Sequence, residues 1–156
     1  MKTFGIILTI FLYGFVGYSQ SIPYGDSQDS LFVYSGVKYD IFYYKPLNYD
    51  SVTGPILIGI HGQGGNGNVP RNDLRDIADR RKALIVSPTM HTDWEYGIEY
   101  IPDSINNCFW WLPKVFNQIY NHVLFRENRG SIPAYLIGFS AGGQFVTRYM
   151  LIRQGI

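Results

Sequence analysis

At 156 residues the chain suits one domain with a buried core, and 46% hydrophobic against 16% charged residues excludes a disordered chain. A net charge of +1 with no dense basic run excludes a nucleic-acid-binding surface; the most charged stretch, 71–82, alternates sign as a solvated helix face does. The single cysteine, Cys108, cannot build a disulfide framework or a thiolate metal cluster by itself.

The N-terminus reads as a targeting segment. Lys2 precedes an uncharged, mostly apolar run from Phe4 to Gly17, and Gly17 and Ser19 are small residues two apart. Residues 1–19 are therefore expected to be a signal peptide cut between Ser19 and Gln20, which predicts a secreted or periplasmic protein. The run of 14 residues is short for a bilayer span, so no stable membrane span is expected after cleavage; a retained anchor is the alternative. No cysteine follows the run to accept a lipid.

Residues 20–30 are polar, with Pro23 and Gly25, and predict a leader loop ahead of a domain over 31–156. Residues 31–35 and 37–44 are β-branched and aromatic and split by Gly36, as two strands of a hairpin are. Pro46, Asn48, Asp50, Gly54 and Pro55 make 45–55 a loop. The run Ile56–Ile60 is continuously apolar, the pattern of a strand buried on both faces.

A Gly- and Asn-rich loop over 61–70 leads to a helix over 71–81, marked by Leu74, Ile77 and Ala78. Residues 83–87 predict a second buried strand, ended by Pro88. The stretch 89–111 reads as a long irregular segment and carries Trp94, Trp110 and Trp111. A helix is expected from Pro113, at its first turn, to 127. A turn at 130–133, a strand at 134–139 and a helix at 141–153 complete the order. Strands alternating with helices predict an α/β fold: a mainly parallel sheet with helices on both faces and an antiparallel hairpin at its edge.

The chemistry concentrates in two places. Gly138-Phe139-Ser140-Ala141-Gly142 fits G-x-S-x-G at a strand–helix junction. There Ser140 would occupy a sharp turn that projects its hydroxyl clear of the sheet, with glycines two residues away on either side, where side chains would collide. The N-terminus of the following helix would aim N–H groups at an oxyanion. His61-Gly62-Gln63-Gly64-Gly65 follows the strand 56–60 directly. A loop so poor in side chains lets a backbone N–H approach a substrate carbonyl. Ala141 and Gln63 are thus the candidate oxyanion donors, with Gly62 as the alternative to Gln63. Neither a P-loop nor a dinucleotide fingerprint is present.

His61 is the obvious candidate base but more often such a residue braces its loop. His91 and His122 are lesser candidates, Asp93 and Glu95 make no recognisable acid pair, and no H-x-x-x-H metal spacing occurs. No metal or organic cofactor is implied. The tryptophans are candidates for lining a pocket, with core packing as the plain alternative.

With these motifs in this order, residues 31–156 resemble the α/β-hydrolases, and more narrowly the secreted esterases related to poly(3-hydroxybutyrate) depolymerases and feruloyl esterases. The resemblance implies Ser140 as nucleophile, an acyl-enzyme, and a small-molecule or polymeric ester as substrate. It also implies an acid and then a His after the nucleophile, whereas the 16 residues after Ser140 include no Asp, Glu or His. The chain is therefore expected to be the N-terminal part of such an enzyme, inactive alone, with an exposed flank on the helix 141–153 and an unpaired edge at 134–139. A peptidase of the prolyl-oligopeptidase type and a non-catalytic binding protein on the same fold are the alternatives.

Overall fold

The structure, a computed structural model, describes residues 20–32, 38–90 and 105–153, with the backbone alone at 32, 105–114 and 151–153. Five strands form one sheet: β1 (Gly25–Phe32), β2 (Lys38–Lys45), β3 (Ile56–Ile60), β4 (Leu84–Pro88) and β5 (Ala134–Gly138). The helices are α1 (Asn68–Asp73), α2 (Arg75–Arg81), α3 (Ile105–Arg126) and α4 (Ala141–Arg153). The strand order is β1-β2-β4-β3-β5. β1 and β2 pair antiparallel, as do β2 and β4, whereas β3 pairs parallel with both β4 and β5.

Alternation decides which side chains go inside. Tyr39, Ile41 and Tyr43 of β2 are buried while their neighbours stay half-exposed. They join Ile56, Ile58, Ile60, Leu84 and Val86 on one face of the sheet, against Val115, Phe116, Ile119 and Val123 of α3 and Phe145 of α4. On the opposite face Leu57 and Ile85 pack against Leu74 and Ala78. β3 and β4 are buried throughout because helices cover both faces. Phe116, Phe145 and Tyr149 clamp α3 to α4, with ring centroids 5.1 to 6.2 Å apart.

Three boundaries differ from expectation. Residues 25–30 are not a loop but most of β1, paired in register with Asp40–Lys45. Their polar sequence suits an edge strand with one wet face, and the partner strand overrides the weak local propensity. α3 begins at Ile105 and runs through Pro113 instead of starting there. Residues 105–112 contain no glycine or proline to stop a helix, and α3 tolerates the one hydrogen bond that Pro113 removes. The single helix expected over 71–81 is two short ones, hinged at Leu74.

β5 lies at the end of the sheet, paired only with β3 among the described residues. Tyr135 and Phe139 are exposed around it, so the open edge expected there is present, whereas Phe145, Val146 and Tyr149 of α4 pack against the core and only Met150 is bare among its described apolar side chains.

Candidate active site

β3 and β5 are parallel neighbours whose register sets Ile60 opposite Gly138. The chain leaves β3 for α1 and α2 on one face of the sheet, and leaves β5 for α4 on the other. Two strands that send their connections to opposite faces open a crevice at their carboxyl ends, where α/β proteins bind ligands. The two sequence motifs sit on the lips of that crevice. A Cβ placed on Gly62 would lie 3.3 Å from the Ser140 Cβ.

Ser140 is exposed and has a φ of 54°, a left-handed backbone that serine seldom adopts. The surrounding hydrogen bonds hold it there: the Phe139 N–H donates to Ile60 O (3.3 Å), the Gly142 N–H to Phe139 O (2.9 Å) and the Gln144 N–H to Ser140 O (3.1 Å). The turn is too tight for side chains on either flank. A Cβ on Gly138 would stand 2.2 Å from Gly142 O, and one on Gly142 would stand 2.3 Å from Ile60 O. Ala141 is buried and opens α4, at the end where helical N–H groups lack intrahelical acceptors.

The facing loop is bolted to the end of β4. His61 is buried, with Nδ1 2.7 Å from Gly62 O and Nε2 2.9 Å from the Met90 N–H. A backbone N–H can only donate, so Nε2 accepts and the ring proton lies on Nδ1, donated to Gly62 O. Both ring nitrogens are thereby engaged in holding the loop, and His61 is a brace, not a base poised toward Ser140. The Gly67 N–H donates to Thr89 Oγ1 (3.0 Å), and Ser87 Oγ donates to Gly59 O (2.7 Å). Gln63 is exposed in the turn beyond Gly62.

The remaining candidates divide clearly. His122 lies on α3, with Nε2 3.2 Å from Asp29 of β1. β1 is four strand steps from β5, about 19 Å at roughly 4.8 Å per step, so His122 serves the far edge of the sheet. His91, Asp93, Glu95 and Trp94 fall outside the described residues, as do the side chains of Trp110, Trp111 and Cys108. Among the described residues no group of three or more His, Cys, Asp or Glu is placed to hold a metal. Sequence reasoning missed Thr89 and Met90; a backbone N–H and a lone hydroxyl leave no motif to find.

No family model matches the sequence, and no curated protein matches it. Solved structures do. A poly(3-hydroxybutyrate) depolymerase from Bordetella parapertussis is similar with a TM-score of 0.69 at 25% identity, covering 82% of this chain and 47% of that one. A poly(aspartic acid) hydrolase from Sphingomonas sp. KT-1 follows at 0.63 and 24%, covering 82% and 51%. A siderophore hydrolase from Aspergillus nidulans reaches 0.58 at 17%, covering 86% and 53%. The chain spans about half the length of these solved proteins. Its sheet, its helices on both faces and these likenesses together identify the α/β-hydrolase fold, in which the chain resembles the esterase-like members.

Proposed function

We propose that this chain is the nucleophile-bearing part of a serine hydrolase that cleaves carboxylic esters through an acyl-enzyme. The observation that carries the reading is Ser140 itself: an exposed serine with φ of 54°, between a strand and a helix, beside a side-chain-poor loop. Its hydroxyl oxygen would attack the ester carbonyl carbon. The N–H groups of Ala141 and Gln63 would take up the negative charge on the carbonyl oxygen. Collapse of the tetrahedral intermediate expels the alcohol, and water then attacks the acyl-serine and releases the acid. In the α/β-hydrolase order an acid and then the His that serves as base follow the nucleophile in the chain, and residues 141–156 hold no His or carboxylate. The poly(3-hydroxybutyrate) depolymerase likeness favours an ester, small or polymeric, as substrate. No metal or organic cofactor enters this chemistry.

We read residues 1–19 as a leader that exports the protein to the periplasm or beyond; no helix of the described residues is long and apolar enough to cross a membrane. The hydrolase reading is tested by ester turnover. The 156-residue chain should hydrolyse a p-nitrophenyl ester at the buffer rate, whereas the product of its complete gene should hydrolyse it with saturation kinetics. Saturable turnover by the 156-residue chain would overturn the assignment of the base.

A further inference from the structure

At the far end of the sheet from the crevice lies a buried charge pair that the hydrolase reading does not use. The side chains of Lys45 and Glu127 are 4% and 2% exposed, and their charged atoms are 2.7 Å apart. Such a pair is tolerated only when its other donors and acceptors are satisfied. Here a strap of residues 21–24 satisfies them. Lys45 Nζ donates to Ser21 Oγ (3.0 Å) and Ile22 O (3.2 Å). Glu127 Oε1 accepts from the Ile22 N–H (3.1 Å) and Ser21 Oγ (3.2 Å). The Tyr24 ring covers the ammonium from 4.9 Å, and Ile22 is buried in the core. Immediately before this strap, Arg126 Nε donates to the Gln20 carbonyl while the Gln20 residue stays exposed.

The strap limits where a leader can be removed. A cut after residue 20 would remove the Gln20 carbonyl that Arg126 binds, and a cut after residue 21 or beyond would strip bonds from two buried charges. A cut after Ser19, where Gly17 and Ser19 supply the small residues, leaves the strap whole and makes Gln20 the first residue. We propose that the mature protein begins at Gln20 and that this glutamine closes to pyroglutamate, giving a neutral, blocked terminus on the Arg126 guanidinium. The inference rests on reading residues 1–19 as a leader and is independent of Ser140.

In this step the Gln20 α-amino nitrogen attacks its own side-chain Cδ. The N–Cδ bond forms, the Cδ–Nε2 bond breaks, one proton passes from the amine to the leaving nitrogen, and ammonia departs; no oxidant or co-reactant is required. The Arg126 hydrogen bond holds the residue's backbone while leaving the side chain in solvent, accessible to its own amine. Because the Gln20 carbonyl accepts from Arg126, an α-ammonium on the same residue would add a second positive charge near that guanidinium, whereas the lactam is uncharged.

The test is the intact mass and N-terminal peptide of the protein exported from cells with its leader, measured promptly and beside Gln20→Ala. The expected peptide starts at residue 20, is lighter than its sequence by one ammonia, and has no α-amine open to labelling; the Gln20→Ala protein starts at the same place with a free amine. Retention of Met1 would overturn the leader. A folded product starting at residue 21 or later would overturn Gln20 as the first residue. A free, uncyclised Gln20 would overturn the lactam.

Discussion

At the scale of the residue, the strand–helix turn at Ser140 stores strain. A left-handed backbone costs a non-glycine residue about 1–2 kcal/mol, and Ser140 is held in one by the Ile60 and Phe139 carbonyls. Ser140→Gly should therefore raise stability by about 0.5–1 kcal/mol in urea denaturation, even though it removes the proposed nucleophile. A loss of stability would mean that the turn is relaxed. Gly142→Ala should act in the other direction. Its Cβ would press on Ile60 O at 2.3 Å and His61 O at 2.7 Å. Both are backbone atoms that cannot swing away, so a loss of about 2 kcal/mol or more is expected from the same measurement. The sequence showed this turn plainly, because only glycines fit where main chains touch. It did not show which histidine does what, since that depends on hydrogen bonds made by residues distant along the chain. The Met90 N–H, which settles the role of His61, leaves no trace in residue type.

At the scale of the element, the loop after β3 and the strand β1 respond to different conditions. His61→Ala would leave the buried Met90 N–H without its acceptor and Gly62 O with the Gly65 N–H in place of two donors, at a cost of about 1–3 kcal/mol in thermal unfolding. A general base would show the opposite signature, lost turnover at unchanged stability. β1 is tied to α3 through Asp29, which accepts from Arg126 Nη1 (2.6 Å), His122 Nε2 (3.2 Å) and the Ser30 N–H (2.8 Å). Partial burial works against the carboxylate, but the Ser30 N–H and the His122 and Arg126 side chains outweigh it and hold the Asp29 carboxyl below its ordinary value. A carboxyl lowered on folding stabilises the fold above its unfolded value, about 3.9, and loses that contribution as the pH falls through the folded value. Asp29→Asn should therefore lower stability by about 0.5–1 kcal/mol at neutral pH, and the gap to wild type should close in the acid range. A gap unchanged down to pH 2 would place the acid sensitivity elsewhere. β1 itself was hidden in the sequence because its polar residues, Asp26 to Ser30, look like a loop until β2 pairs with them.

At the scale of the whole molecule, alternating strands and helices made the α/β class legible, and the run of β3 and β4 as continuous apolar segments made their burial legible. The strand order was not, because nothing in a sequence says that β5 returns past β4 to the other side of β3. That return brings Gly62 against Ser140. Nor was the Lys45–Glu127 pair visible, with its partners 82 residues apart. Glu127→Ala should cost about 3–5 kcal/mol, since it leaves the Lys45 ammonium buried and unpaired. Replacing both residues by apolar ones of similar size should cost less than that single change, and thermal denaturation of the single and double variants reads the difference. Among the described residues β5 is an open edge, and the chain spans about half the length of the solved proteins it resembles.

The central claim is that Ser140 is the nucleophile of this fold. It is tested most directly by treating the product of the complete gene with a fluorophosphonate probe and locating the adduct by peptide mass spectrometry. The account predicts one adduct, on Ser140, and no labelling of Ser140→Ala. An adduct on another residue, or labelling unchanged in that variant, would contradict it.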